Sequence, residues 1–142
     1  MATPYVPDPT AELHDLKNYK GELIPKYKVA ISADKNVLPK IISYKGIYDK
    51  ELCLKHTDSG GYPNCGVGGI VMNVHKIIFN TLLNYACPLD VPKKRWNSYD
   101  NYTKDLINQG CDIDHIDEDR TNFHPDNLQL VTRRFNLAKR YV

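Results

Sequence analysis

The sequence predicts an α+β protein: a small β-rich unit with one helix, then a separate strand–loop–strand–helix unit at the end. Three observations carry this. Residues 21–72 hold β-branched and aromatic runs broken by Gly, Pro and polar turns. At Val74 the apolar period changes from that of a strand to that of a helix. Residues 111–142 place two short apolar runs and a basic amphipathic segment around a polar, acidic loop.

In order along the chain, residues 1–20 read as an arm, with Pro4, Pro7 and Pro9 keeping its start irregular. The following TAELHDLKNYK predicts about two helical turns with Thr10 as N-cap. Residues 21–90 are the β-rich lead-in. Tyr27–Tyr44 predicts a hairpin around Ala33-Asp34-Lys35-Asn36, and a second pair of strands surrounds the Gly- and Pro-rich stretch His56–Gly69. Val74, Ile77, Ile78, Thr81 and Leu82 recur at helical spacing and predict a helix over 74–85, which Pro88 and Pro92 stop. Residues 91–110, opening on Lys93-Lys94-Arg95-Trp96, read as a basic connector. Cys111–Asp117 predicts a strand ending in an acidic turn, Leu128–Thr132 a second strand, and Arg133–Val142 a helix capped by Thr132.

Composition narrows the function classes. The 142 residues are 42% hydrophobic and 25% charged, which suits a globular protein with a modest core. No apolar run approaches the roughly 20 residues a membrane-spanning helix needs, and the start lacks a secretory pattern, so a cytoplasmic protein is expected. A formal charge of +2 argues neither for nor against nucleic acid. Cys53, Cys65, Cys87 and Cys111 form no C-x-x-C pair, which speaks for reduced thiols and against a cysteine-based zinc site.

Charge is sharply divided in the last segment. Between Asp112 and Asp126 stand six acids and one base, Arg120; between Thr132 and Val142 stand four bases and no acid. On a helical wheel Arg133, Asn136 and Arg140 share a face, opposite Phe135, Ala138 and Val142. Such a division gives either solvated salt links worth about 0–1 kcal/mol each or an acidic loop for a cation beside a basic helix for an anionic backbone.

Asp114-His115, Asn127 and Asn136 meet the spacing D-H-x(11)-N-x(8)-N. With Arg120-Thr121-Asn122 and His124-Pro125-Asp126-Asn127-Leu128, they resemble the HNH endonuclease signature, and more closely the HNH homing endonucleases of phages and introns, whose last motif position is Asn. Val74–Phe79 is similar to that family's V-H-R-aliphatic segment. The resemblance implies a C-terminal ββα-metal finger and a metal-dependent DNA endonuclease leaving 5′-phosphate and 3′-hydroxyl ends. In it, Asp114 and Asn136 hold one divalent cation, His115 is the general base, and Asn127 supports the catalytic loop. A carboxylate with a neutral amide oxygen suits magnesium, with manganese as the alternative.

Double-stranded DNA is the implied partner, with Arg120, Arg133, Arg134, Lys139 and Arg140 facing phosphates. Lys93, Lys94 and Arg95 either track the DNA backbone or form an exposed linker beside a tucked-in Trp96. Two rivals stay open: a non-catalytic DNA-binding or regulatory protein, and a phage interaction factor that keeps the finger. Glu118-Asp119 departs from the Gly-Asn that relatives often carry there, which bears on the turn geometry. His75 reads as a packing or capping residue, with a phosphate contact as the other reading, and His124 as loop structure.

Overall fold

The computed structural model describes residues 3–18, 21–52, 54, 60–83 and 85–135. The fold is α+β, and the strands of each sheet run antiparallel. The largest sheet orders its strands β1-β5-β4-β3-β2, built from β1 (Thr3–Pro4), β2 (Glu12–Lys17), β3 (Leu23–Ile31), β4 (Lys40–Ser43) and β5 (Lys50–Glu51). Side chains alternate across a strand, so Tyr27 and Val29 of β3 and Ile41 of β4 share the core face. Val29 and Ile41 pair directly, each 0% exposed. On the opposite face Lys28 stands 4.0 Å from Asp15 and Lys40 stands 3.9 Å from Glu51.

Strands β6 (Asn64–Val67) and β7 (Ile70–Asn73) form a hairpin closed by Gly68 and Gly69. Both glycines have positive φ (60° and 83°), as a two-residue turn matched to the strand twist requires. Helix α1 (Val74–Leu82) follows β7 directly, and the Val74 amide donates to the Pro63 carbonyl at 2.9 Å. Its buried Val74, Ile77 and Ile78 pack with Leu16, Tyr27, Val29 and Ile41. Phe123 and Leu128 from the C-terminal unit enter the same core. That unit pairs β8 (Cys111–His115) with β9 (Leu128–Thr132), and the chain turns helical again at 133–135.

The observed elements differ from the sequence reading in four places. The start of the arm, expected to be irregular, contributes β1, whose Thr3 and Pro4 pair with Glu51 and Lys50 at the sheet's edge, where a proline is tolerated. The segment after Thr10 is strand β2, not a helix. Thr10 turns inward locally instead, its amide and hydroxyl both donating to Asp8 Oδ1. Leu16 explains the choice: as a strand residue it reaches the core at 0% exposure, and such burial outweighs helix propensity. Residues 91–110 carry two helices, α2 (Lys93–Asn97) and α3 (Asn101–Gln109), where a connector was expected. Asp100 caps α3 by accepting the Thr103 amide at 2.8 Å. Trp96 is buried and its indole donates to the Tyr85 carbonyl, which fixes α2 in place. The strands around His56–Gly69 do not form one pair: β5 joins the large sheet, and β6 pairs with β7.

The β9 strand is tied to the preceding chain as well as to β8. The Leu89 amide donates to the Leu130 carbonyl at 2.7 Å, and the Thr132 amide donates to Asp90 Oδ1 at 3.0 Å. Thr132 Oγ1 also bonds Asp90 Oδ2, and it accepts the Phe135 amide at 3.3 Å as the helix N-cap.

Candidate active site in the C-terminal finger

The β8–β9 register sets the site. His115 pairs with Leu128, Asp114 with Gln129, and Ile113 with Leu130. Alternation therefore puts Ile113, His115, Leu128 and Leu130 on the face toward the core, and Asp112, Asp114 and Gln129 on the other. Asp114 is half-buried and its Oδ2 accepts from Gln129 Nε2 at 2.8 Å, a cross-strand bond that orients the carboxylate. His115 is the last residue of β8, so adjacent side chains meet the end of the ladder from opposite sides.

The imidazole of His115 is 5% exposed, and its Nε2 is buried without a hydrogen-bond partner. It sits in a cluster of three rings. The centroid of His75 is 5.2 Å away in a T-shaped contact, and that of Tyr62 is 5.6 Å away. Tyr62 and His75 are themselves 4.7 Å apart. Burial pushes the imidazole pKa down, against the pull of Asp114, Asp117 and Asp119 and with help from the Arg120 cation. The ring is thus neutral at neutral pH and able to accept a proton.

Beyond His115 the chain reverses through a turn in which the Glu118 amide donates to the His115 carbonyl at 2.9 Å. Glu118 has φ 63°, a left-handed conformation costing about 1–2 kcal/mol for a residue with a Cβ. Asn127 holds the loop against that cost. Its Oδ1 accepts the Asp117 amide at 3.0 Å, while its Nδ2 donates to Asp117 Oδ1 and to the Asn122 carbonyl, each at 2.9 Å. The Asn122 side chain donates to Asp117 Oδ2 at 2.8 Å, and this bond above all holds the Asp117 carboxyl below its usual range. The Thr121 hydroxyl and amide do the same for Asp119. These two acids thus serve the loop's own architecture.

Residues 106–138 match the family model for the HNH endonuclease. Over that segment the chain is similar to the HNH endonuclease family. Neither the curated proteins nor the solved structures contain a match to the chain. The HNH segment covers Asp114, His115, Asn127 and Asn136, the four residues whose spacing the sequence singled out.

The hairpin brings Asp114, His115 and Asn127 to one end of the C-terminal unit. Asn136, Lys139 and Arg140 lie outside the described residues. Arg120, expected to face DNA, is engaged within the protein: its guanidinium donates to the Gly60 carbonyl and lies 5.1 Å from the Tyr62 ring centroid. Arg133 and Arg134 are exposed at the start of the last helix, Arg133 standing 4.0 Å from Asp112. Lys93, Lys94 and Arg95 are exposed along α2.

His124 caps the 3₁₀ turn at Pro125–Asn127, its Nδ1 accepting the Asp126 amide at 3.1 Å, as a loop residue should. Sequence reasoning did not single out Tyr62; its position after Gly60-Gly61, with Gly61 at φ 83°, marks a tight approach. The thiols Cys65 and Cys111, pushed by burial up to about 11, are unreactive filler.

Among the described residues no group of three or more His, Cys, Asp or Glu side chains gathers to hold a metal. The donors at the finger fit a hard cation in kind. Asp114 offers a carboxylate already oriented by a hydrogen bond, the usual support for a ligating acid. No helix of the described residues is long and apolar enough to cross a membrane.

Proposed function

We propose that this chain is a divalent-metal-dependent DNA endonuclease that hydrolyses phosphodiester bonds of duplex DNA, with His115 as general base. The observation that carries the reading is the His115 imidazole. It is a neutral ring with a buried, unpartnered Nε2, next in the chain to an oriented carboxylate, inside a segment that matches the HNH endonuclease. A buried polar atom without a partner costs about 1–3 kcal/mol, and such atoms concentrate where function requires them.

Asp114 and Asn136 are the residues to hold the cation, magnesium first and manganese second, which would supply Lewis-acid stabilisation of charge on the phosphate. His115 Nε2 takes the proton of a water that attacks phosphorus. The phosphorus–O3′ bond breaks, and the departing oxygen is protonated to a 3′-hydroxyl, leaving a 5′-phosphate. Asn127 keeps the loop that follows His115 in place. Arg133 and Arg134, with Lys139, Arg140, Lys93, Lys94 and Arg95, supply phosphate contacts; these position a duplex without reading its sequence. Arg120 can join them through the guanidinium N–H groups that its bond to the Gly60 carbonyl does not use. A nicking or homing enzyme of a phage or mobile element is the version that the resemblance of Val74–Phe79 and of the finger favours.

The burial of His115 favours a second reading, a finger that binds DNA without cutting it. One assay separates the two. The enzyme nicks or linearises supercoiled plasmid with magnesium, stops on chelation, and leaves ligatable ends. In His115→Ala cleavage falls by at least ~10²-fold while DNA binding persists. Binding without cleavage under magnesium and manganese selects the second reading.

A further inference from the structure

We propose that Tyr62 and His75 are positioning residues that orient the His115 imidazole, a role resting on the nuclease reading above. A general base needs its ring plane set, and the usual device is a hydrogen bond from a third group. Nε2, the nitrogen that takes the proton, has to stay free of such a bond, as it is here. The torsion that spins an imidazole about its Cβ–Cγ bond is broad, so contacts with neighbouring rings restrict it. Two rings do so: His75 in a T-shaped contact at 5.2 Å, and Tyr62 tilted by 40° at 5.6 Å. Both fall in the 4.5–7 Å range where aromatic pairs have preferred geometries.

The two rings come from one corner of the fold. Tyr62 precedes Pro63, whose carbonyl accepts the Val74 amide at 2.9 Å, and His75 is the next residue of α1. That hydrogen bond brings the two chain segments together, and the 4.7 Å ring contact locks them. His75 is 5% exposed; Tyr62 is half-buried, and Arg120 of the finger's own loop covers it as a cation over its ring. The finger thus clasps, through Arg120, the ring that orients its histidine.

Leucine at either position keeps apolar bulk and removes the ring, whereas phenylalanine keeps a ring. Steady-state plasmid cleavage with magnesium should show Tyr62→Leu and His75→Leu lowering kcat by about 10–100-fold with KM unchanged. Tyr62→Phe and His75→Phe stay near wild type. In NMR spectra of histidine-labelled protein, the His115 ring protons keep their ring-current displacement in the Phe variants and lose it in the Leu variants. Thermal unfolding is followed in parallel, and if His75→Leu does not fold, the half-buried Tyr62 pair carries the test. Leu variants that cut at the wild-type rate overturn the positioning role alone. Wild-type protein inert with both magnesium and manganese overturns the nuclease reading, and this role with it.

Discussion

In the five-stranded sheet, Val29 and Ile41 meet across the ladder with no exposed surface, and the lysines of the outer face stand near acids. Among the described residues, no buried side-chain nitrogen or oxygen of that sheet lacks a hydrogen-bond partner. The C-terminal finger is built the other way. It buries two unpartnered imidazole nitrogens, on His115 and His124, and holds Glu118 in a left-handed conformation. It shapes its loop with side-chain hydrogen bonds around the one apolar anchor of Phe123. The sheet behaves as scaffold, although Lys26 of β3 is held at φ 66° much as Glu118 is held at 63°. What sets the finger apart is its buried, unpartnered imidazole nitrogens, a local cost of the kind that gathers at functional sites.

That contrast can be broken or sharpened by three measurements. The largest stability effect belongs to the scaffold. Ile41→Ala, at a site with 0% exposure, should cost about 2–5 kcal/mol in urea unfolding. The folded fraction should still cut DNA normally; a large loss of kcat at full folding would mean the sheet takes part in the chemistry. Asn127→Ala comes next. Losing three hydrogen bonds to the 117–122 loop should cost about 1–3 kcal/mol and slow cleavage more than the stability loss accounts for. Equal losses of stability and rate would make Asn127 a plain fold residue.

The smallest effect is on pH. Asp117 and Asp119 titrate below their usual values because the loop's own donors bond their charged forms. Their contribution is therefore complete above the unfolded carboxylate value near 3.9 and is lost as pH falls through the lower folded values. Amide exchange in residues 116–127 should accelerate in that acid window while exchange in β3 and β4 does not. Simultaneous loss in both regions would place the loop and the sheet in one cooperative unit.

The finger was legible in the sequence because its constraints are local. Asp114, His115 and Asn127 are fixed by a short ladder, and Leu128–Thr132 is the strand the residues predict. The start of α1 was legible for the same reason; the Gly68-Gly69 hairpin was not, since its strand β6 lies inside the stretch read as turns. The arm was not, because the choice of strand over helix for Glu12–Lys17 depends on β3, its partner across the sheet. Helix α3 was missed because it buries none of its residues, so no apolar stripe announces it; the cap at Asp100 was the available signal. Tyr62 and Arg120 could not be matched from spacing, since their contact joins residues far apart in sequence.

The ties from Leu89 and Asp90 to Leu130 and Thr132 have a consequence for how copies of the chain behave together. A two-stranded hairpin ordinarily leaves a row of open amides and carbonyls along its outer edge, ready to recruit a strand from a neighbour. Here the preceding loop already takes the Leu130 carbonyl and the Thr132 amide of β9. On that side the hairpin therefore offers a neighbouring copy fewer open groups to pair with.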